Sequence, residues 1–210
     1  MISLFIDTSL SFIRIAIIKN NFLVDSINEK CEKDLSRLFD VRVREILERN
    51  NLCFNDINTI YVVNGPGSFT GIRVGLTFAK VLAWSLNINI IPISELCVLA
   101  SSCDDDFVIP LIDARRGFVY SGVYNSKLEN IVSDKYVLLD SYLDSLSNKS
   151  RKFVSYDNFT DIECINPNID FLKIIRLNKN LPINPHLLVP NYLKDTEAEE
   201  RLRLKQKNDQ

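Results

Sequence analysis

One stretch constrains this chain more than any other: Gly65-Pro66-Gly67-Ser68-Phe69-Thr70-Gly71-Ile72-Arg73-Val74-Gly75. The apolar run Ile60-Tyr61-Val62-Val63 precedes it and reads as a buried strand, while Leu76 to Leu86 follows and reads as helix. The stretch is therefore a strand, a glycine-rich turn and a helix start. Gly65 and Gly67 open backbone angles closed to residues with a Cβ, and Pro66 fixes one φ between them. Ser68 and Thr70 both qualify as N-caps. The free N–H groups of such a helix start can hold an anion. From the turn alone, a phosphate cradle and a plain tight junction are both open. It is neither the P-loop pattern, since no Gly-Lys-Ser/Thr follows, nor G-x-G-x-x-G.

The helix that follows has an unusual wheel. Gly71, Gly75, Ala79 and Ala83 recur every four residues and form one ridge, where small side chains let another element approach closely. Val74, Phe78 and Val81 cover a different side, and Arg73, Thr77, Lys80 and Trp84 share a polar sector. A helix apolar over most of its circumference packs on more than one side. One side is its own sheet. The second is either a neighbouring helix of this chain or another subunit. Two glycines inside a helix cost about 1 kcal/mol each against alanine, so packing or function must offset them.

The 210 residues are 46% hydrophobic and 25% charged, which suits one large or two small domains with real cores. A net charge of −2 supplies no overall basic character to attract nucleic acid. Any RNA is expected to be held mainly by another protein. The start, Met1-Ile2-Ser3-Leu4, enters a strand at once, so no signal peptide is expected, and the apolar runs are far shorter than a membrane span. Cys31, Cys53, Cys97, Cys103 and Cys164 are scattered with no C-x-x-C pair and read as reduced thiols of a cytoplasmic protein. The single histidine, His186, has no companion and reads as a surface or packing residue; no metal site is expected.

In chain order, Leu4 to Ser9 reads as a strand ending in Asp7, Thr8 and Ser9. Phe12 to Ile18 is a second strand, and Asn20-Asn21 turns into a third at Phe22-Leu23-Val24. Leu35 to Asn50 is an amphipathic helix with Leu35, Leu38, Phe39, Val43, Ile46 and Leu47 on one face. Ile88 to Ile93 is a strand and Leu96 to Ser101 a short helix. The acidic turn Cys103-Asp104-Asp105-Asp106 then marks a domain boundary and reads as a solvated linker.

Beyond that boundary the chain repeats itself. Leu111 to Val123 lies on Phe5 to Ile17 at a constant offset of 106 residues, so that Asp113 meets Asp7, Phe118 meets Phe12 and Gly122 meets Ala16. Each copy is a strand, an Asp at its end, a tight turn and an alternating return strand. The reading is a duplicated α/β domain, with both aspartates at strand ends near a cleft between lobes. Residues 1–104 form the first lobe, 105–193 a second, reduced lobe and 194–210 a charged tail, either a solvated helix or disordered. The second lobe continues with Tyr136 to Leu139, a helix from about Asp140 to Leu146 and the strand Phe153 to Tyr156. It has no glycine-rich turn, and Ile165 to Pro190 is Asn- and Pro-rich with weak patterning.

Ile6-Asp7-Thr8-Ser9, the eleven-residue glycine motif, Ile112-Asp113-Ala114-Arg115 and Pro190-Asn191-Tyr192-Leu193-Lys194 together resemble the TsaB (YeaZ) family, from the start of the chain to about residue 194. The resemblance implies an α/β, actin-like and sugar-kinase-like ATPase fold of two duplicated lobes. It implies a non-catalytic subunit of bacterial tRNA threonylcarbamoyladenosine synthesis. The paralogous catalytic subunit, TsaD, carries two metal-binding histidines on the helix matching Leu35 to Asn50. None lies between Cys31 and Glu48 here, and Asp34 stands where many relatives carry one.

The implied partners are a TsaD-like catalytic subunit, bound through the first-lobe helices, and a TsaE-like ATPase. A second copy of the chain is the implied partner when it is alone. tRNA is reached only through the complex, no membrane is involved, and ATP and metal belong to the partner subunits, with no cofactor here. The expected interface is Leu38, Val41, Arg42 and Glu45 from the first helix with Arg73, Gly75, Ala79, Lys80 and Ala83 from the second. The alternative is a small actin-like ATPase or kinase. It would use Asp7 as a metal-associated or general-base carboxylate, with Thr8, Gly65, Gly67 and Ser68 toward the nucleotide.

Overall fold

The computed structural model describes residues 1–146 and 151–194; the expectation for the charged tail lies outside the described residues from 195 onward. Two five-stranded sheets carry the fold. In the first, β1 (Ile2–Asp7), β2 (Phe12–Lys19) and β3 (Phe22–Lys30) form an antiparallel meander, and β4 (Thr59–Gly65) and β5 (Asn89–Ser94) add in parallel, giving the order β3-β2-β1-β4-β5. In the second, β6 (Val108–Asp113), β7 (Phe118–Tyr124) and β8 (Asn130–Leu138) form the meander, with β9 (Lys152–Val154) and β10 (Cys164–Ile165) parallel to β6. Its order, β10-β9-β6-β7-β8, is the first sheet's order read from the other end. The sequence repeat therefore marks a duplication of topology, with Asp7 and Asp113 each closing the first strand of its lobe.

The Asn20-Asn21 hairpin forms as expected, with both residues at positive φ (50° and 65°), a region that asparagine tolerates. β3 runs six residues beyond the expected Phe22–Val24, pairing Phe12 with Lys30. Those residues, Asp25 to Lys30, are mostly polar because β3 is a sheet edge, half turned to solvent.

Strand alternation builds two cores on the first sheet. Leu4, Ile6, Ile15 and Ile17 face α1 (Leu35–Arg49) and α2 (Phe69–Leu86), meeting Phe39, Val43, Ile46, Ile72 and Ala79. Phe5, Ala16 and Ile93 face the other way, onto α3 (Glu95–Ala100) and α5 (Phe171–Leu177), a layer that also contacts Val108 and Ile112 of the second sheet. A third core, with Leu111, Val119 and Tyr142, lies under α4 (Leu139–Ser145). The chain is thus layered α1/α2, sheet, α3/α5, sheet, α4.

α5 was not legible in the weakly patterned stretch from Ile165. A single apolar face, Phe171, Ile174 and Ile175, holds it, with Phe171 edge-on to Phe5 at 5.3 Å. After α5 the chain returns to the first lobe. Asn180 Nδ2 donates to Pro92 O (2.7 Å) and Ile183 N to Ile90 O (3.0 Å), covering the β5 edge, and Leu188 is 2% exposed in the α1/α2 core. Residues from Phe171 onward, grouped by sequence with the second lobe, thus pack against the first. Among the described residues no helix is long and apolar enough to cross a membrane.

Candidate functional site

The glycine turn is a joint between β1 and α2. Ser68 caps α2 by accepting from Gly71 N (3.2 Å), and its own N–H donates to Ser9 O (2.6 Å). Thr8 Oγ1 donates to Gly71 O (2.7 Å) and accepts from Gly75 N (3.1 Å). A Cβ on Gly67 would overlap Ser9 O, one on Gly71 would overlap Thr8 O, and one on Gly75 would stand 2.5 Å from Thr8 Oγ1. Gly67 also holds φ at 153°. These glycines let the β1–β2 turn lie against the helix backbone.

Beside the joint a cleft of about 900 Å³ opens between the lobes, lined among others by Ser11, Phe12, Ser68, Asp113, Arg115 and Tyr156. Asp7, the candidate carboxylate, does not reach it. Asp7 is 1% exposed; its Oδ1 accepts from Ser9 N and Ser9 Oγ (both 2.7 Å) and its Oδ2 from Arg14 Nη1. Arg14, wholly buried, also donates to Glu95 Oε1 (2.8 Å). The rings of Phe12 and Tyr156 cover its guanidinium at 4.8 and 5.3 Å. Burial, then the neighbouring Asp7, pushes the Glu95 carboxyl up to about 8, against the opposing pull of Arg14.

A magnesium–nucleotide held by Asp7 and the turn does not fit this donor set. The carboxylate is buried against Ser9 and Arg14, Ser68 N–H is taken by Ser9 O, and Tyr156 occupies the second lobe's equivalent of the glycine turn. Of the expected nucleotide contacts, Asp7 and Thr8 are buried, and Gly67 and Ser68 line the cleft. Asp113, its partner in the repeat, is exposed to the cleft. Among the described residues no group of His, Cys, Asp and Glu is arranged to hold a metal ion.

The outer face of the first lobe is a different kind of surface. The Gly75, Ala79 and Ala83 ridge, expected to face a partner, faces its own sheet: Ala79 is 0% and Ala83 1% exposed. The outward stripe of α2 is Phe69, Arg73, Thr77, Val81 and Trp84, and three of these are large and apolar (50%, 59% and 65% exposed for Phe69, Val81 and Trp84). A groove of about 580 Å³ between α1 and α2 borders it, with Phe39, Val74 and Phe78 apolar and Ser36, Asp40, Thr70, Arg73 and Thr77 at the rim.

Of the remaining expected contacts, Val41 and Glu45 are exposed and Leu38 is half-buried. Arg42 is tied to Glu29 and Glu45, and Lys80 to Leu188 O (2.7 Å). Sequence reasoning missed Phe69, Val81, Arg14, Glu95 and Tyr156 as members of these sites. The available signals were an isolated arginine within the apolar strand Phe12–Ile18 and a tryptophan in an otherwise polar helix sector.

The family model for TsaD, tRNA N6-adenosine threonylcarbamoyltransferase, matches residues 25–172. A protein of Bacillus subtilis, "tRNA threonylcarbamoyladenosine biosynthesis protein TsaB", is 34% identical, the alignment covering 95% of this chain and 96% of that one. The chain belongs to the TsaB family. A TsaB protein of Buchnera aphidicola is 28% identical over 99% of this chain and 91% of its own. The solved structure of YeaZ from Pseudomonas aeruginosa superposes with a TM-score of 0.72 at 19% identity, covering 91% of this chain and 99% of that one. The duplicated lobes, with the same strand order in each, are those of the actin-like and sugar-kinase-like ATPase fold.

Proposed function

We propose that this chain is the non-catalytic subunit of tRNA threonylcarbamoyladenosine synthesis, docking a TsaD-like catalytic subunit on the outer face of α1 and α2. The observation that carries the reading is the exposed apolar stripe of α2 beside the α1/α2 groove, on a lobe whose candidate catalytic carboxylate, Asp7, is buried on Arg14. Large apolar side chains exposed along one helix face mark protein contacts, and a groove between helices suits an amphipathic helix laid into it.

In this reading the chain supplies shape and no reacting group. The partner moves threonylcarbamoyl from its adenylate to the adenosine beside the anticodon. ATP and metal reside on the TsaD-like and TsaE-like subunits, and tRNA is met through the complex. Without a partner, the same face joins a second copy of the chain, because exposed apolar area remains unfavourable in water.

The test is co-expression with the TsaD-like subunit and sedimentation of the purified mixture. Val81→Glu puts a charge in the stripe without touching the core. The expected result is loss of at least about 100-fold in affinity with an unchanged melting temperature, the size of a desolvated hot-spot contact. An intact complex with Val81→Glu would overturn the docking assignment.

A further inference from the structure

The proposed docking face holds one cation whose geometry is set from more than a hundred residues away. Arg73 lies mid-stripe on α2. Its guanidinium covers the Phe69 ring, 3.6 Å from the centroid, and its Nε donates to Tyr192 Oη at 3.2 Å. Tyr192 itself stacks on Phe69, with centroids 5.3 Å apart and ring planes 21° from parallel. The strap of chain leading to Tyr192 is pinned to the first lobe: Lys80 Nζ donates to Leu188 O (2.7 Å), Asn64 Nδ2 to Val189 O (3.3 Å) and Asn191 N to Asn64 O (2.7 Å).

The guanidinium plane is therefore ordered before any partner arrives, and little rotamer freedom is left to lose on binding. Its Nη1 and Nη2 groups have no hydrogen-bond partner among the described residues, and no described carboxylate lies within ion-pair distance. Two other arginines of this face are already engaged, Arg42 with Glu29 and Glu45 and Arg44 with Asp40, and Arg37, at the start of α1, lies 4.0 Å from Asp34.

We propose that Arg73 is the anchor cation of the docking face. It takes an Asp or Glu carboxylate carried by an apolar helix of the TsaD-like subunit lying in the α1/α2 groove, and Tyr192 is the positioning residue that aims it. The inference rests on the docking reading above. The free Nη1/Nη2 edge of a planar guanidinium matches a carboxylate in bidentate geometry. The groove beside it is floored by Phe39, Val74 and Phe78, which favours a protein helix over a nucleic acid backbone. A phosphate chain would need several free cations, and Lys80, Arg42 and Arg44 are spent.

The experiment uses the full chain and the TsaD-like subunit, with dissociation constants measured at low and high salt. Arg73→Gln is expected to weaken binding about 10- to 100-fold and to flatten its salt dependence. Arg73→Lys is expected not to restore it, because a lysine lacks the fork. Tyr192→Phe keeps the ring stack, removes the hydroxyl, and is expected to weaken binding a few-fold with an unchanged melting temperature. Val81→Glu is the control for the docking reading itself. If Val81→Glu abolishes the complex while Arg73→Gln leaves affinity and salt slope unchanged, the anchor assignment is wrong and docking stands. If Val81→Glu has no effect, the docking reading fails first. An Arg73→Gln variant that loses only tRNA retention, with subunit affinity intact, also overturns the proposal. A Tyr192→Phe variant indistinguishable from the parent removes the positioning role.

Discussion

A hydroxyl group has one proton, and Ser9 stands between two carboxyl groups. Its Oγ is 2.7 Å from Asp7 Oδ1 and 2.9 Å from Glu95 Oε2. Both contacts are satisfied when Ser9 donates to Asp7 and a protonated Glu95 donates to Ser9. The charges then balance as one pair, Asp7 with Arg14, beside a neutral acid. This agrees with the direction in which burial moves Glu95, from 4.5 up to about 8. Between those two values the folded chain keeps a proton that the unfolded chain releases, so stability falls as pH rises through that window and levels off above it. The loss is on the order of a few kcal/mol. Glu95→Gln is expected to flatten the decline and to be the more stable protein at pH 8.5. Urea titrations of both proteins at pH 5.5 and 8.5 measure it, and parallel losses in the two would show that Glu95 is not the group. Nothing local in the sequence pairs Arg14 with Glu95. They are far apart in the chain, and only the packing of α3 on the first sheet brings them together.

At the scale of the element, α2 shows how far periodicity carries. The four-residue recurrence of Gly71, Gly75, Ala79 and Ala83 correctly marked a close approach of backbone, but not what approaches. It is the β1–β2 turn, with Thr8 bridging two turns of the helix. The ridge could not be assigned from the wheel because apolar residues cover most of this helix's circumference. The outward face was legible only as a polar sector that contains a tryptophan. A methyl group at Gly71 would meet the Thr8 carbonyl oxygen, an atom fixed in the backbone. Gly71→Ala is therefore expected to cost about 2–3 kcal/mol, far from the slight gain that alanine brings to an ordinary helix. Chemical denaturation followed by circular dichroism reads it. A variant as stable as the parent would mean that the joint yields.

For the whole molecule, the duplication was legible and the closing strap was not. Two alternating strands with an Asp between them leave a strong pattern, and both sheets follow it. The strap from Leu181 to Tyr192 has no period, because it is irregular chain with one 3-10 turn at Pro185–Leu187, held by backbone hydrogen bonds to Asn64 and Ile90 and by one buried side chain. Leu188 sits among Leu4, Ile72 and Ala83 of the first core. If the strap is integral to that lobe, Leu188→Ala costs about 2–5 kcal/mol, as a central leucine would. The single tryptophan, Trp84, lies 6.1 Å from His186 on the strap and reports the transition by fluorescence. A cost below about 1 kcal/mol would mark the strap as an accessory that peels away before the lobe unfolds.

By itself the sequence determined most of the strands, the two long helices, the glycine joint and the repeat, because each is written in local spacing that the backbone period reads directly. Only the tertiary structure decided which face of α2 is buried, that Asp7 is spent on Arg14 and Ser9, and that Tyr192 meets Arg73. Each of those outcomes depends on which distant segments are stacked together, and a short polar side chain carries no mark of the partner that burial will assign it.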